Sequence, residues 1–249
     1  MSKVPVIGIT SRRGDAEWLV ENTRHYLNVL REYGVASVVL SPDTPVILPD
    51  GSRYAPDASG RLSDEVLEQL DGLILAGGGD VDPSYFGAPL NGANPAAIDR
   101  KRDELELRLA RRALDIDLPT FGICRGCQVM NVAAGGAMIQ DFGGHRSSKE
   151  QPTLHDVVFE SNTRLGDLMG AVLPVNTYHH QGMDHASMAA VFKPAGTASP
   201  DEWLVEAFES DSHRWAVGVQ WHPERLFELP AAHRKLWDDF VTACSQGAC

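Results

Sequence analysis

The side chains able to do chemistry are concentrated in two short segments. Gly122-Ile123-Cys124-Arg125-Gly126 follows an apolar run and opens a segment with helical spacing. A nucleophile on such a strand–turn–helix bend is thrust clear of the sheet edge, and the glycines let strand and helix pass close together. Cys124 also stands at a helix N-terminus, where the positive end of the dipole favours thiolate over thiol. The second segment, Gln220-Trp221-His222-Pro223-Glu224, ends another apolar run. Pro223 stiffens a corner from which an imidazole and a carboxylate project. A cysteine nucleophile needs a base within hydrogen-bond reach, and the base needs a partner that holds its tautomer. Cys124, His222 and Glu224 have the chemistry for those three roles.

Each residue also has a plainer reading. A cysteine on a buried strand is often a small core residue, and His-Pro-Glu can be a surface turn. The glycines around Cys124, and the presence of both segments in one chain, favour catalysis. Cys124 and Cys127 also spell C-x-x-C, which leaves a redox pair open. A zinc site would want a second cysteine pair, and Cys244 and Cys249 have the wrong spacing. Gly77-Gly78-Gly79-Asp80 closes a third apolar run and could give an oxyanion hole an N–H, together with the N–H of Arg125. It matches neither phosphate-binding glycine pattern. Tyr178-His179-His180-Gln181-Gly182 reads as a substrate-contacting loop or a polar turn. Adjacent histidines rarely face one metal and no third ligand is evident, so no metal site is expected. His145 and His155 read as solvated or structural.

The elements that must position these residues alternate in type. Val4 to Thr10, Val35 to Leu40, Leu73 to Ala76 and Pro119 to Ile123 are short apolar runs with the character of buried strands. Between them lie helical patterns at about Trp18 to Tyr33, Ser63 to Leu70 and Asp99 to Leu114, followed by Gly126 to Ala134. This order predicts an α/β fold with a mostly parallel central sheet and helices on both faces. Ligands then bind beyond the carboxyl ends of the strands, where Gly77 to Gly79 and Cys124 fall. In the second half, Val157 to Phe159, Ala189 to Phe192, Trp203 to Phe208 and Trp215 to Gln220 read as strands, predicting an antiparallel extension. A last helix spans about Ala231 to Cys244. No linker divides residues 1–249, so a single domain is expected.

The chain has 249 residues and a formal net charge of −12, which opposes binding to phosphate backbones and anionic lipid. No apolar stretch is long enough to span a bilayer. The start, Met1-Ser2-Lys3-Val4-Pro5, lacks the pattern of a signal peptide, and the four cysteines do not form a secreted framework. The expectation is a cytoplasmic protein acting on a small molecule, with no nucleic-acid or membrane partner. A homo-oligomer is compatible with the chain.

With these residues in view, a resemblance emerges. Phe121-Gly122-Ile123-Cys124-Arg125-Gly126-Cys127-Gln128 and Gln220-Trp221-His222-Pro223-Glu224 resemble the class I glutamine amidotransferase superfamily. Arg125 after the nucleophile, the Leu75 to Pro83 glycine turn with Tyr85-Phe86-Gly87, and Asp99-Arg100-Lys101-Arg102-Asp103 are similar to its γ-glutamyl-γ-aminobutyrate hydrolase branch, the C26-type peptidases. The resemblance runs from the first strand to the last helix and implies a flavodoxin-like fold. It implies a Cys124–His222–Glu224 triad and an oxyanion hole near Gly78, Gly79 and Arg125. It also implies glutamyl contacts from Gln128, His179, His180 and Gln181. The implied reaction is hydrolysis of a small γ-glutamyl amine through a γ-glutamyl thioester, without cofactor, as in polyamine catabolism. The rivals are a glutaminase subunit that delivers ammonia to a separate synthetase, a binding protein with a vestigial triad, and a thiol redox protein.

Overall fold

The computed structural model describes residues 4–147 and 152–246; Met1 to Lys3 and Cys249 lie outside them. Its main sheet has nine strands. In chain order, strands β1 (Val6–Thr10) and β2 (Ala36–Leu40) flank helix α1 (Ala16–Glu32). A small hairpin of β3 (Val46–Ile47) and β4 (Arg53–Tyr54) follows, then β5 (Gly72–Leu75), α2 (Arg100–Asp115), β6 (Thr120–Ile123) and α3 (Arg125–Ala133). The second half holds β7 (Thr153–Phe159), α4 (Arg164–Met169), β8 (Val172–Thr177), β9 (Lys193–Ser199), β10 (Val205–Glu209), β11 (Ala216–Val219) and α5 (Arg234–Ser245). The spatial order is β2-β1-β5-β6-β11-β10-β9-β7-β8. The first five strands in that order are mutually parallel and the rest antiparallel, so the expected mixed sheet is present.

The central strands are buried on both faces, which is why they read as continuous apolar runs instead of alternating ones. Leu105, Leu109 and Ala113 of α2 pack with Val129 and Met130 of α3 on one face. Tyr26, Val29 and Leu30 of α1 pack with Leu236, Trp237 and Phe240 of α5 on the other. Each helix presents one apolar stripe at i, i+3 and i+4 spacing. Asp15 caps α1 by accepting from the Trp18 N–H at 2.9 Å.

Three expectations are corrected. Ser63 to Leu70 is not an α-helix: Asp64–Gln69 forms a 3₁₀ helix, capped by Ser63. Ala189 to Phe192 is a turn with Ala189 and Phe192 tucked into the core, and the strand lies after it, at Lys193–Ser199. Trp203 is exposed before β10, which begins at Val205.

Register brings the chemistry together. Strands β6 and β11 are parallel neighbours, pairing Gly122 with Gly218 and Ile123 with Val219. The Cys124 N–H donates to the Val219 carbonyl at 2.8 Å. Strand β5 pairs Leu75 with Gly122 on the other side. The carboxyl ends of β5, β6 and β11 therefore deliver the glycine turn, the cysteine and the histidine to one edge. The bend after β6 depends on close approach. A Cβ on Gly122 would come within 2.7 Å of the Cys127 Cα, and one on Gly126 would overlap the Leu75 carbonyl oxygen. Gly126→Ala should cost about 1–3 kcal/mol, in the range of overpacked cores. Urea denaturation monitored by tryptophan fluorescence measures the loss, and a midpoint equal to wild type would count against this account of the bend.

Candidate active site

Cys124 occupies the bend with φ 52° and ψ −113°. Positive φ is costly for a residue with a Cβ, and it persists here because the strand, the helix and the flanking glycines fix the backbone on both sides. Cys124 sits immediately before α3, and the N–H of Arg125, at the first helical position, has no acceptor within its own helix. That amide and those near Gly78 and Gly79 are the donors expected from sequence for an oxyanion; the Gly77 N–H is spent on the Tyr26 hydroxyl at 3.0 Å.

His222 Nδ1 lies 2.7 Å from Glu224 Oε1. A carboxylate only accepts, so Nδ1 is the donor and Nε2 is left for the thiol. Burial opposes charge on His222, but Glu224 and the side-chain contact with Cys124 outweigh it and hold the pKa well above the ordinary imidazole value. This favours the imidazolium form of the ring. Asn176, on strand β8, fixes the histidine backbone. Its Oδ1 accepts from the His222 N–H at 2.9 Å and its Nδ2 donates to the His222 carbonyl at 3.3 Å. A Cβ on Gly77 would come within 2.7 Å of the imidazole Cε1, so the first glycine of the turn makes room for the ring.

Beneath the bend lies a buried ionic network that sequence reading did not anticipate. The Arg125 guanidinium pairs with Asp103 and Glu106 of α2. Arg102 Nε donates to Glu106 Oε1 at 2.7 Å, and its Nη2 donates to the carbonyls of Ala76 at 3.0 Å and Gly77 at 2.9 Å. Thr10 Oγ1 donates to Glu106 at 2.7 Å and accepts from the Ala76 N–H at 3.1 Å. The network ties the glycine turn and the nucleophile bend to one helix. Burial pulls the guanidinium of Arg125 down to about 9 and that of Arg102 to about 10, so both stay charged at neutral pH. The charged run of Asp99 to Asp103 was visible in the sequence, but nothing in it marked Arg102, Asp103 and Glu106 as the inward-facing members.

The other expected site residues divide. Gly78, Gly79, Arg125, Gln128, His179, His180 and Gln181 line a narrow notch around Cys124. Within it, Gln128 Nε2 already donates to the Gln181 carbonyl at 3.0 Å and to Gln220 Oε1 at 3.1 Å, and Gln181 Nε2 donates to the Gln140 carbonyl at 3.0 Å. Those amide nitrogens brace the loop. His180 bridges Asp141 at 2.9 Å and Asp80 at 3.2 Å. His179 turns its ring into the protein, with Nε2 3.4 Å from Glu206 Oε1. Cys127 faces the core, where burial pushes its thiol pKa well up, an environment unsuited to a redox partner. Adjoining the notch at Gly78 and Tyr178, a broad cleft of about 510 Å³ opens beside His222, lined also by His25, Tyr26, Arg225 and Phe227. No helix among the described residues is long and apolar enough to cross a membrane.

Residues 5–224 match the family model described as Peptidase C26. The chain is 33% identical to the gamma-glutamyl-gamma-aminobutyrate hydrolase of Escherichia coli O157:H7, over 96% of this chain and 93% of that one. Among solved structures it resembles the glutaminase domain of Trypanosoma brucei CTPS with bound acivicin, at a TM-score of 0.64 and 15% identity, covering 99% of this chain and 96% of that one. A glutamine amidotransferase of Thermotoga maritima aligns with a TM-score of 0.57 and 16% identity, over 98% and 84% of the two chains.

Glu224→Gln removes the charge that raises the His222 pKa, so that pKa should fall and the alkaline limb of the kcat/KM profile should move to lower pH. The accompanying loss at the optimum should be on the order of 10²- to 10⁴-fold. Rates across pH give both values, and an unmoved alkaline limb contradicts the pairing. Arg125→Met should leave Asp103 buried without its cation and Glu106 with Arg102 alone, and cost about 3–5 kcal/mol, read from chemical denaturation.

Proposed function

Since the chain belongs to the Peptidase C26 family and is a glutamine-amidotransferase-like hydrolase, we propose that it cleaves the γ-glutamyl amide bond of a small γ-glutamyl amine, with Cys124, His222 and Glu224 as its triad. The observation that carries this reading is that Cys124 lines a narrow, polar notch adjoining a broad cleft lined by His222, with Gly78 and Tyr178 common to both. The cleft of about 510 Å³ has room for a γ-glutamyl substrate whose amine is larger than ammonia. The gamma-glutamyl-gamma-aminobutyrate hydrolase relative supports γ-aminobutyrate as one such amine.

In the first step the Cys124 thiolate attacks the γ-carbonyl carbon. The oxyanion that forms is held by the backbone N–H of Arg125 and by the glycine turn. Imidazolium His222 then gives its proton to the amine nitrogen as the C–N bond breaks, leaving a γ-glutamyl thioester. Water enters, His222 takes its proton, and collapse of the second tetrahedral species releases glutamate and restores the thiolate. Glu224 keeps the ring oriented and stabilises its charged form throughout. The small-molecule substrate is the only partner this chemistry requires.

Cys124→Ala should lower kcat by on the order of 10⁵-fold while leaving substrate affinity nearly intact. A panel of γ-glutamyl amides assayed for glutamate release, with glutamine as control, should show larger amines turned over faster than glutamine. Near-wild-type hydrolysis by the alanine variant would remove Cys124 from its role. A preference for glutamine over every larger amide would redirect the reading to a glutaminase.

A further inference from the structure

Behind the His179 to Gln181 loop, away from the triad, four side chains from separate parts of the chain converge. His155 lies on β7, Glu206 on β10, His179 just after β8, and His145 on the loop following Asp141. His145, His179 and Glu206 are at most 4% exposed. The ligating atoms of His145, His155 and Glu206 all lie within 4.8 Å of one another. Glu206 Oε1 is 3.6 Å from His145 Nδ1, 3.3 Å from His155 Nε2 and 3.4 Å from His179 Nε2.

The hydrogen bonding at the outer edge of this cluster fixes what its centre offers. His179 Nδ1 lies 3.0 Å from the Gln181 carbonyl, which can only accept, so Nδ1 carries the proton. His145 Nε2 lies 3.2 Å from Asp201 Oδ2, so it too is the donor. Thr177 Oγ1 spends its hydrogen on the His145 carbonyl at 2.8 Å and has none for Nδ1. In their neutral forms both rings therefore aim lone pairs at Glu206, whose two carboxylate oxygens have no hydrogen-bond partner; neither ring nitrogen of His155 has one either. A buried carboxylate facing three imidazoles, of which only His155 has a ring N–H free to turn toward it, is costly unless a cation sits at the centre. Protonating all the rings would place several positive charges in one buried spot.

We propose that His145 Nδ1, His155 Nε2 and Glu206 Oε1 form a site for a divalent transition-metal ion of the zinc class, with His179 Nε2 beside it. Zinc with bonds of about 2.0–2.1 Å draws its ligand atoms to roughly 3.3–3.4 Å of one another, and the two nitrogens lie 3.6 Å and 3.3 Å from Oε1. Two imidazoles and one carboxylate are a borderline donor set that excludes calcium and magnesium, which take oxygen ligands. Asp201 and the Gln181 carbonyl are the outer partners that orient the His145 and His179 rings. Held by residues of β7, β10 and the loop carrying His145, and set apart from Cys124, the ion is structural; it sits against His179, whose next residues, His180 and Gln181, line the notch around Cys124.

The test is metal binding by the full-length protein in a Cys124→Ala background, so that the catalytic thiol cannot bind the probe. After removal of metal with a chelator and titration with zinc, elemental analysis should give about one tightly bound equivalent and the melting temperature should rise. Cobalt in place of zinc should give the strong visible d–d bands of a tetrahedral site without thiolate charge transfer. His155→Ala and Glu206→Gln should abolish the bound equivalent. Asp201→Asn touches no ion directly and keeps the core intact, so it covers the case in which those variants fail to fold; it should weaken zinc about 10- to 100-fold in chelator competition. Absence of bound zinc or cobalt in the folded Cys124→Ala protein overturns the site, as does unchanged affinity in Asp201→Asn together with Glu206→Gln. Either result would leave a protonated histidine–carboxylate cluster in its place.

Discussion

Everything at the active edge depends on how closely helix α3 approaches strand β5. With no Cβ at Gly126, the helix backbone comes against the Leu75 carbonyl, and with none at Gly122 the strand passes under Cys127. That proximity forces the bend between them to be sharp, and the sharp bend holds Cys124 at positive φ. A cysteine would not keep that conformation in a free loop, since it costs of order 1–3 kcal/mol. Here the central strands supply the opposing force. Strand β6 is hydrogen-bonded on both sides, to β5 and to β11, and cannot shift to relax its last residue.

The same crowding explains the ionic network below the bend. Arg125 begins α3 with its side chain directed into the space between α2, α3 and the glycine turn, where water is excluded. A guanidinium there is tolerable only with carboxylates arranged around it, and Asp103 and Glu106 are provided from one face of α2. Arg102 balances the second carboxylate and spends its remaining donors on the Ala76 and Gly77 carbonyls. Two positive and two negative groups thus close on one another. The energetic return from burying such pairs is small or negative. What the arrangement gives is position, since it fixes the glycine turn and the bend at Cys124 against one helix.

Legibility in the sequence follows from how local each cause is. The parallel half of the sheet was readable because its strands are buried on both faces and carry unbroken apolar runs between helical patterns. The bend and the His-Pro-Glu corner were readable because glycine, proline and a reactive side chain at fixed spacing have few other uses. Strand β8 was not: it contains Pro174 and Asn176, which argue against a central strand, and it forms at the edge of the sheet, where a proline is tolerated. Strand β9, Lys-Pro-Ala-Gly-Thr-Ala-Ser, has little strand propensity of its own. It is held by β10 and β7 on either side, and Gly196 leaves space for Val157 and Phe159. The neighbouring Ala189 to Phe192, more apolar, made the better strand on paper and became a buried turn. Asn176, Arg102 and Glu106 act through contacts far apart in the chain, so no window of sequence contains their reason.

The two buried polar clusters flanking the bend make an instructive contrast, because both brace the site but only one is complete in itself. On the α2 side, donors and acceptors are matched: guanidinium groups offer fixed N–H groups in number and carboxylates receive them. On the β10 side, Glu206 meets His145 and His179, whose neutral rings turn their protons outward to Asp201 and Gln181. A folded chain rarely leaves such groups unsatisfied. The positive charge that completes this second cluster must therefore come from protons on the rings or from an ion among them, and in either case it acts on catalysis through the short stretch from His179 to Gln181 that the cluster holds against the notch.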